Sequence, residues 1–342
     1  MLMPVTLKDI AKHTGLSVSS VSNILSGNDP RYNEKTRERV LKAASALDYH
    51  PHRAARIMQG RGSQVLGVLV PDLSYSYFPE IIKGIETVAD EGGYQVLLGQ
   101  THYNPQELLR KLALLREHSV DGLILFPIPF SRDPDVTKRM KDLPFPVVCV
   151  DSRMAGMRYD YVGTDDYTGS FEATHFLTSQ GHTRIVCVGF GDESPIQTAR
   201  YKGYADALAT ADIPVDQELV VPGPWEIDAP AGTLLKLFRA GNRPTAIFAM
   251  SDLMAVWACL RLKEAGMHIP GNVSVIGFGG LHEGKWFDPP LSTMTQKMEE
   301  MGRQAVSLIL KRIINPKEAV REILLEPKLT IRSSCAPARR NV

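Results

Sequence analysis

Residues 6–27 read TLKDIAKHTGLSVSSVSNILSG. Thr6 stands three residues before Asp9, the spacing at which a hydroxyl and a carboxylate close the first turn of a helix. Leu7, Ile10 and Ala11 then fall on one helical face. Gly15 offers the freedom of positive φ where that helix must stop. Ser17 is placed to cap a second helix, with Val21, Ile24 and Leu25 pointing inward. Gly27, Asn28, Asp29 and Pro30 break the chain. A third helix is expected from about Glu34 to Leu47, burying Val40, Ala43, Ala44 and Leu47. Two helices about a tight glycine turn, braced by a third, make helix-turn-helix architecture.

Charge agrees with that reading. The 342 residues carry a net charge of +1, shared unevenly. Residues 1–62 hold ten Lys and Arg against five Asp and Glu, a balance of +5; the remainder holds 29 against 33, a balance of −4. A small basic head on a mildly acidic body suits contact with a phosphate backbone. The chain is 44% hydrophobic and 23% charged, which excludes wholesale disorder and fibrous repeats. The four cysteines (Cys149, Cys187, Cys259, Cys335) are scattered, without metal-ligand or paired spacing, as in a reducing compartment. Lys8, Asp9 and Lys12 occupy the stretch where an export signal needs an apolar run. No run approaches about 18 apolar residues. The expectation is a soluble cytoplasmic protein without membrane span, metal or cofactor.

From Val65 the rhythm becomes strand then helix. Short apolar runs bounded by Gly, Pro or Asp occur at Val65–Val70, Val96–Leu98, Leu123–Phe126, Val147–Val150, Ile185–Val188, Ala246–Met250 and Val273–Ile276. Helical patterns lie between them at Pro79–Glu91, Pro105–His118, Asp166–Gln180, Tyr201–Thr210 and Asp252–Ala265. So many βαβ units exceed one compact sheet, so two similar doubly wound parallel-sheet lobes are expected, with a ligand crevice beyond the carboxyl ends of their strands. Between head and body, residues 51–63 hold only about eight helix-compatible positions after Pro51, too few for a helix to stand alone in water.

These stretches together resemble lactose-repressor (LacI/GalR-type) transcription regulators over nearly the whole chain. PVTLKDIAKHTGLSVSSVSNILSG and TRERVLKAASALDYHPHRAARIMQGRGSQVLGVLVPD resemble the family's N-terminus. Gly181-His182-Thr183-Arg184-Ile185 resembles its GH-x-x-I lead-in to a core strand, and Arg200-Tyr201-Lys202-Gly203-Tyr204 its R-x-x-G-Y/F stretch. Arg243–Phe248 leading to Ser251-Asp252, and Val273–Phe278, are similar to segments of its second lobe.

The resemblance implies an N-terminal all-α helix-turn-helix domain plus an α/β periplasmic-binding-protein-like core. The domains would be 1–50 (DNA-binding), 51–63 (hinge) and 64–342 (core). Lobe one would comprise about 64–163 and 294–325, and lobe two about 164–293 and 326–342, with crossings near Gly163, Met294 and Leu325. It implies a homodimer on a pseudo-palindromic operator, a repressor whose DNA affinity answers to a small molecule, a sugar or sugar derivative. Ser17, Val18, Ser19, Ser22 and Asn23 would lie in the major groove, Thr6, Asn33 and Tyr49 near the backbone, and His52, Ala55 and Met58 in the hinge. Asn23 stands where the family usually has Arg, so a half-site preference away from guanine is expected there, because Asn pairs with adenine. Met58 replaces the usual minor-groove Leu, and an apolar side chain can part a base step.

For the effector, the family's positions fall on Tyr77, Phe78, Asp151, Arg200, Trp225, Ser251, Asp252 and Gly279. Ser251 replaces the usual Asn. Gly279 replaces an Asp that grips paired sugar hydroxyls, leaving His282 and Glu283 as nearby substitutes and pointing to a modified or acidic sugar or another small polar metabolite. The rival reading is a periplasmic-type solute-binding protein, disfavoured by the complete helix-turn-helix. An enzyme is disfavoured too, since GxxxxGKS/T, GxSxG, HExxH and GxGxxG are all missing. The polar tail SSCAPARRNV carries no leucine heptad, so a dimer without a tetramerising bundle is expected.

Overall fold

The computed structural model describes residues 5–25, 32–49, 62–127, 133–189, 191, 194–223, 229–239 and 243–338. It divides into two compact units, 1–63 and 64–342.

The first unit packs α1 (Leu7–Thr14), α2 (Val18–Leu25) and α3 (Glu34–Ala46) around Ile10, Ala11, Val21, Ile24, Val40, Ala43 and Ala44. Leu7, Leu25 and Leu47 border that core half-buried. Each helix begins where a side chain satisfies its leading N–H groups or closes its first turn. The Thr6 amide and hydroxyl both donate to the Asp9 carboxylate, at 2.8 and 2.7 Å. Ser17 Oγ accepts from the Ser20 amide at 3.1 Å, and Asn33 Oδ1 from the Thr36 amide at 2.8 Å. Gly15 ends α1 at φ +67°, a left-handed conformation that favours glycine.

In the second unit the chain runs β1 (Val65–Val70), α4 (Tyr77–Glu91), β2 (Gln95–Gln100), α5 (Pro105–Glu117), β3 (Gly122–Leu125), α6 (Pro134–Lys141), β4 (Val147–Val150) and β5 (Asp160–Thr164). It continues through α7 (Asp166–Ser179), β6 (Ile185–Val188), α8 (Pro195–Thr210), β7 (Val220–Val221), α9 (Gly232–Leu237), β8 (Ala246–Ala249), α10 (Asp252–Glu264), β9 (Ser274–Gly279) and β10 (Ser292–Thr295). The last elements are α11 (Met298–Ile314), β11 (Glu322–Leu325) and β12 (Lys328–Thr330).

The strands form two six-stranded sheets, ordered β11-β5-β4-β3-β1-β2 and β12-β10-β9-β8-β6-β7. The first is parallel throughout, and the second is parallel except for β12 on β10. β1, β3, β4, β6 and β8 are buried at every residue, as central parallel strands covered on both faces must be. The chain passes between sheets after Thr164, between Thr295 and Met298, and between Leu325 and Lys328. Hydrogen bonds tie these passages together: Thr164 Oγ1 donates to Gln296 Oε1 at 2.6 Å, and the Asp165 amide donates to the Leu325 carbonyl at 3.0 Å.

Helix α11 returns to the first sheet and packs on α4 with backbones touching. A Cβ at Gly84 would stand 1.9 Å from the Glu299 carbonyl oxygen, and one at Gly302 2.0 Å from that of Ile81. Among the described residues no helix is long and apolar enough to cross a membrane.

Candidate DNA-reading surface and ligand cleft

On α2, Val21 and Ile24 are buried while Val18, Ser19 and Asn23 are exposed and Ser22 is half-buried. The helix thus spends one stripe on the core and leaves the opposite one to solvent. The Ser17 hydroxyl lies 2.9 Å from that of Ser19 and 2.8 Å from that of Ser20. Ser17 and Asn33 cap helices, and Thr6 binds Asp9, so these three hold the surface in shape as well as bordering it. Tyr49 packs half-buried against the small core, and that burial raises its phenol above the ordinary range. A concavity on the same unit is lined by Lys35, Arg39 and Lys42 with Glu38, which pairs with Lys42 at 2.8 Å, a basic rim able to meet phosphates. His52, Ala55 and Met58 lie outside the described residues.

The candidate ligand site gathers residues at the carboxyl ends of strands from both sheets. β4 runs into Asp151, held at φ +67°, an uncommon conformation for a residue with a Cβ and one that gathers at functional sites. The Tyr77 hydroxyl, from the first turn of α4, donates to Asp151 Oδ1 at 2.5 Å and approaches Gln296 Oε1 at 3.3 Å. Gln296, in the second passage, therefore joins Tyr77 to Thr164, in the first. Phe78 meets Phe126 edge-on at 5.5 Å and, like Tyr77, belongs to the core of the first sheet.

From the second sheet comes Arg200, on α8. Its Nε donates to Asp166 Oδ1 at 2.8 Å, its Nη2 lies 2.7 Å from the same oxygen, and its Nη1 donates to the Met250 carbonyl. Its guanidinium stacks on Phe278, 3.8 Å from the ring centre. Asp166, Asp151 and Arg200 are all buried. Burial pushes the Asp166 carboxyl up to about 6, offset in part by Arg200 and reinforced by the Asp151 charge. Burial likewise raises Asp151, against the Tyr77 hydrogen bond and Arg200. Tyr77 lies well above the usual phenol range through burial and then the Asp151 charge. Burial lowers the Arg200 guanidinium, but the two aspartates outweigh it and the net shift is upward.

The remaining positions serve the frame. Ser251 caps α10, its Oγ accepting from the Met254 amide at 3.2 Å. Asp252 accepts from the Gly280 and Leu281 amides at 2.7 and 2.8 Å and from the Thr293 hydroxyl at 2.5 Å, so its carboxylate closes the turn after β9. Gly279 has φ +156°, and a Cβ there would stand 3.0 Å from Asp252 Oδ2. Any side chain at this position would thus start out pressed against the Asp252 carboxylate. Glu283 accepts from the Ser76 hydroxyl at 3.0 Å, and His282 meets exposed Trp286 edge-on at 4.8 Å. Trp225 lies outside the described residues. Asp166, Thr164, Gln296 and Phe278 join the cluster although the sequence reading did not single them out; only Asp166, beside a passage between sheets, carried a signal, as a carboxylate at the start of a helix.

Two parts of the chain match known families: residues 6–52 the bacterial regulatory proteins of the lacI family, and residues 174–335 a periplasmic binding protein-like domain. The transcriptional regulator DegA of Bacillus subtilis is 31% identical over 337 residues, spanning 98% of this chain and 99% of that protein. The transcriptional repressor CytR of Escherichia coli is 32% identical over 329 residues, spanning 96% of each. The solved complex of the regulator CelR with cellobiose superposes with a TM-score of 0.73 at 26% identity, covering 97% of this chain and 100% of that one. With a three-helix reader, a pair of crossed-over sheets and regulators similar along their full length, this chain belongs to the LacI family of bacterial regulatory proteins.

Proposed function

We propose that the protein is a homodimeric repressor, acting in the cytoplasm, that binds a pseudo-palindromic operator and changes its affinity when a sugar or sugar derivative occupies the cleft. The observation that carries this reading is the buried Tyr77–Asp151 and Asp166–Arg200 cluster, which draws on both sheets at the passages joining them. A ligand seated there contacts both lobes at once, so its binding energy depends on their relative angle, and only such differential contact can shift a conformational equilibrium. The cellobiose complex of the related regulator supports the ligand class.

On the DNA side, Val18, Ser19, Ser22 and Asn23 are assigned to base edges, and Thr6, Ser17, Asn33 and Tyr49 to the backbone. His52, Ala55 and Met58 are assigned to a hinge that folds on the operator, with Met58 wedged into the minor groove. Domain limits at 50 and 63 and lobe exchanges near 163, 294 and 325 follow from the same reading. The test is fluorescence anisotropy of the full chain on operators recovered by selection from random duplexes, with and without ligand. Sequence preference over random competitor, a steep salt dependence, and ligand coupling of about 5–150-fold are expected. Binding indifferent to sequence, with residues 1–62 intact, overturns it. Met58→Gly is expected to lose most of the operator affinity.

A further inference from the structure

The buried cluster has more acceptors than donors. Arg200 commits Nε and Nη2 to Asp166 and Nη1 to the Met250 carbonyl, and one face of its guanidinium is covered by Phe278. Asp151 receives the Tyr77 hydroxyl on Oδ1, and Asp166 receives Arg200 on Oδ1. Among the described residues, the side-chain donors that reach these two carboxylates land on Oδ1 of each. One guanidinium thus faces two carboxylates. Of the other buried carboxylates, Asp252 already receives three donors and lies near Arg332, and Asp160 is paired with Arg312. The other titratable groups acting on the cluster are Asp165, whose charge raises Asp166 further while its carboxylate caps Thr168, and the phenols Tyr75, Tyr77, Tyr103 and Tyr161, the last with Arg153 over its ring. The Asp that would add an acceptor for ring hydroxyls is absent at Gly279.

We propose that this cleft selects an amine-bearing polyol, whose ammonium and hydroxyl donors occupy the Oδ2 atoms of Asp151 and Asp166, and that it rejects ligands carrying a carboxylate or phosphate. This rests on the cleft being the effector site. It reverses the sequence-based preference for an acidic sugar, because Arg200, the cation that would hold an acid, is consumed by Asp166. Burying a net negative charge is costly until a cation joins it. The raised Asp166 carboxyl reflects that cost and adds a signature. Near pH 6 the empty cluster holds a proton on Asp166 part of the time; an incoming ammonium keeps its own protons and expels that one to the buffer.

The test is calorimetric titration of the full chain with three matched series: glucosamine, glucose and glucuronate; galactosamine, galactose and galacturonate; glucamine, sorbitol and gluconate. Glucose 6-phosphate is added as a second anion. The amine of at least one series is expected to bind about tenfold or more tightly than its neutral partner, since one unit of compensated charge is worth about a pKa unit or more. Its acid partner and the phosphate are expected not to bind. Repeating the amine titration at pH 6 in buffers of different ionisation heat should reveal proton release. Asp166→Asn leaves an oxygen for the Arg200 N–H groups while removing the charge. Provided that it melts as a folded protein, it should erase most of the amine advantage. An acid or phosphate binding as tightly as the amine, a neutral polyol matching it, or an undiminished amine preference in Asp166→Asn overturns the proposal while leaving a ligand-gated regulator standing. Silence across all three series overturns instead the assignment of the cleft as a polyol effector site.

Discussion

Replacing Gly84 with Ala tests the close backbone contact between α4 and α11. A Cβ at that position would lie 1.9 Å from the Glu299 carbonyl oxygen, 2.8 Å from its carbon and 3.2 Å from the Arg303 nitrogen. All three are backbone atoms, so no side-chain rotation relieves the clash. Restoring an ordinary contact of about 3.4 Å requires α4 and α11 to part by roughly 1.5 Å. That motion opens the layer formed by Ile81, Ile85, Met301 and Ala305, all fully buried. Overpacking of a tight core costs about 1–3 kcal/mol, and an unyielding backbone neighbour places this site at the upper end. Alanine's better helix propensity returns about 1 kcal/mol, leaving a net loss of about 2 kcal/mol. For a unit of this size that lowers the melting temperature by about 4–8 °C. Gly302→Ala, with its Cβ 2.0 Å from the Ile81 carbonyl, should match it. Gly232→Ala is the control, since nothing stands within 4 Å of the added methyl, and it should melt at or slightly above the parent temperature. Thermal denaturation followed by circular dichroism measures all three. If Gly84→Ala and Gly302→Ala both melted like the control, the contact between the two backbones would not have the role argued for it.

Other perturbations separate the remaining claims. Asp252→Ala strips three donors of their acceptor in a buried turn and should destabilise the core unit by about 3 kcal/mol or more, read by urea denaturation; an unchanged midpoint contradicts its bracing role. Asp166 holds its proton up to about 6 in the folded protein but to 3.8 when unfolded. The stability linked to it is therefore fully present below pH 4 and declines as pH rises through 6, and the difference between parent and Asp166→Asn stability should change across pH 4–6 and flatten above it. Asn23→Arg should move the selected half-site toward guanine at one position, and an identical set of recovered operators would remove Asn23 from base reading. Gly15→Ala forces a Cβ into φ +67° and should cost the N-terminal unit about 1–2 kcal/mol, visible as an earlier melt of that unit, with no shift counting against the strained turn.

Where burial and hydrophobicity coincide, the sequence foretold the structure. Val65–Val70, Val147–Val150 and Ile185–Val188 are strands at the residues expected, because a central parallel strand needs apolar side chains on both faces. The reading missed Asp160–Thr164 and Ser292–Thr295, whose buried polar groups are satisfied by partners far along the chain. Asp160 is neutralised by Arg312 at 2.8 Å, and Ser292 donates its amide to Ser334 Oγ at 2.8 Å. β11 carries the apolar run Ile323–Leu325, which the reading passed over, and it lies at the sheet edge with Glu322 and Leu324 exposed. The three helices of the head were readable because capping is local: Thr6 with Asp9, Ser17 with Ser20 and Asn33 with Thr36 are each three residues apart. The cleft is the opposite case. Gln296 meets Thr164 and Tyr77, and Arg200 meets Asp166, only because the chain passes repeatedly between sheets. That Arg200 spends its donors on Asp166 and the Met250 carbonyl was not legible in the sequence.

The order in which the sheets close sets a problem for synthesis. β5 is finished at Thr164, but its neighbour β11 begins only at Glu322, after the whole second sheet except β12. At about 5–20 residues per second, a ribosome leaves that strand without its outer partner for roughly 8–30 s. Through that interval the nascent first sheet presents an unpaired strand edge, whose free N–H and C=O groups can recruit a like strand from another chain. Expression of fragments ending before residue 322 should therefore yield insoluble material or polypeptide held by chaperones, and neither lobe can be cut out of the gene as one uninterrupted piece.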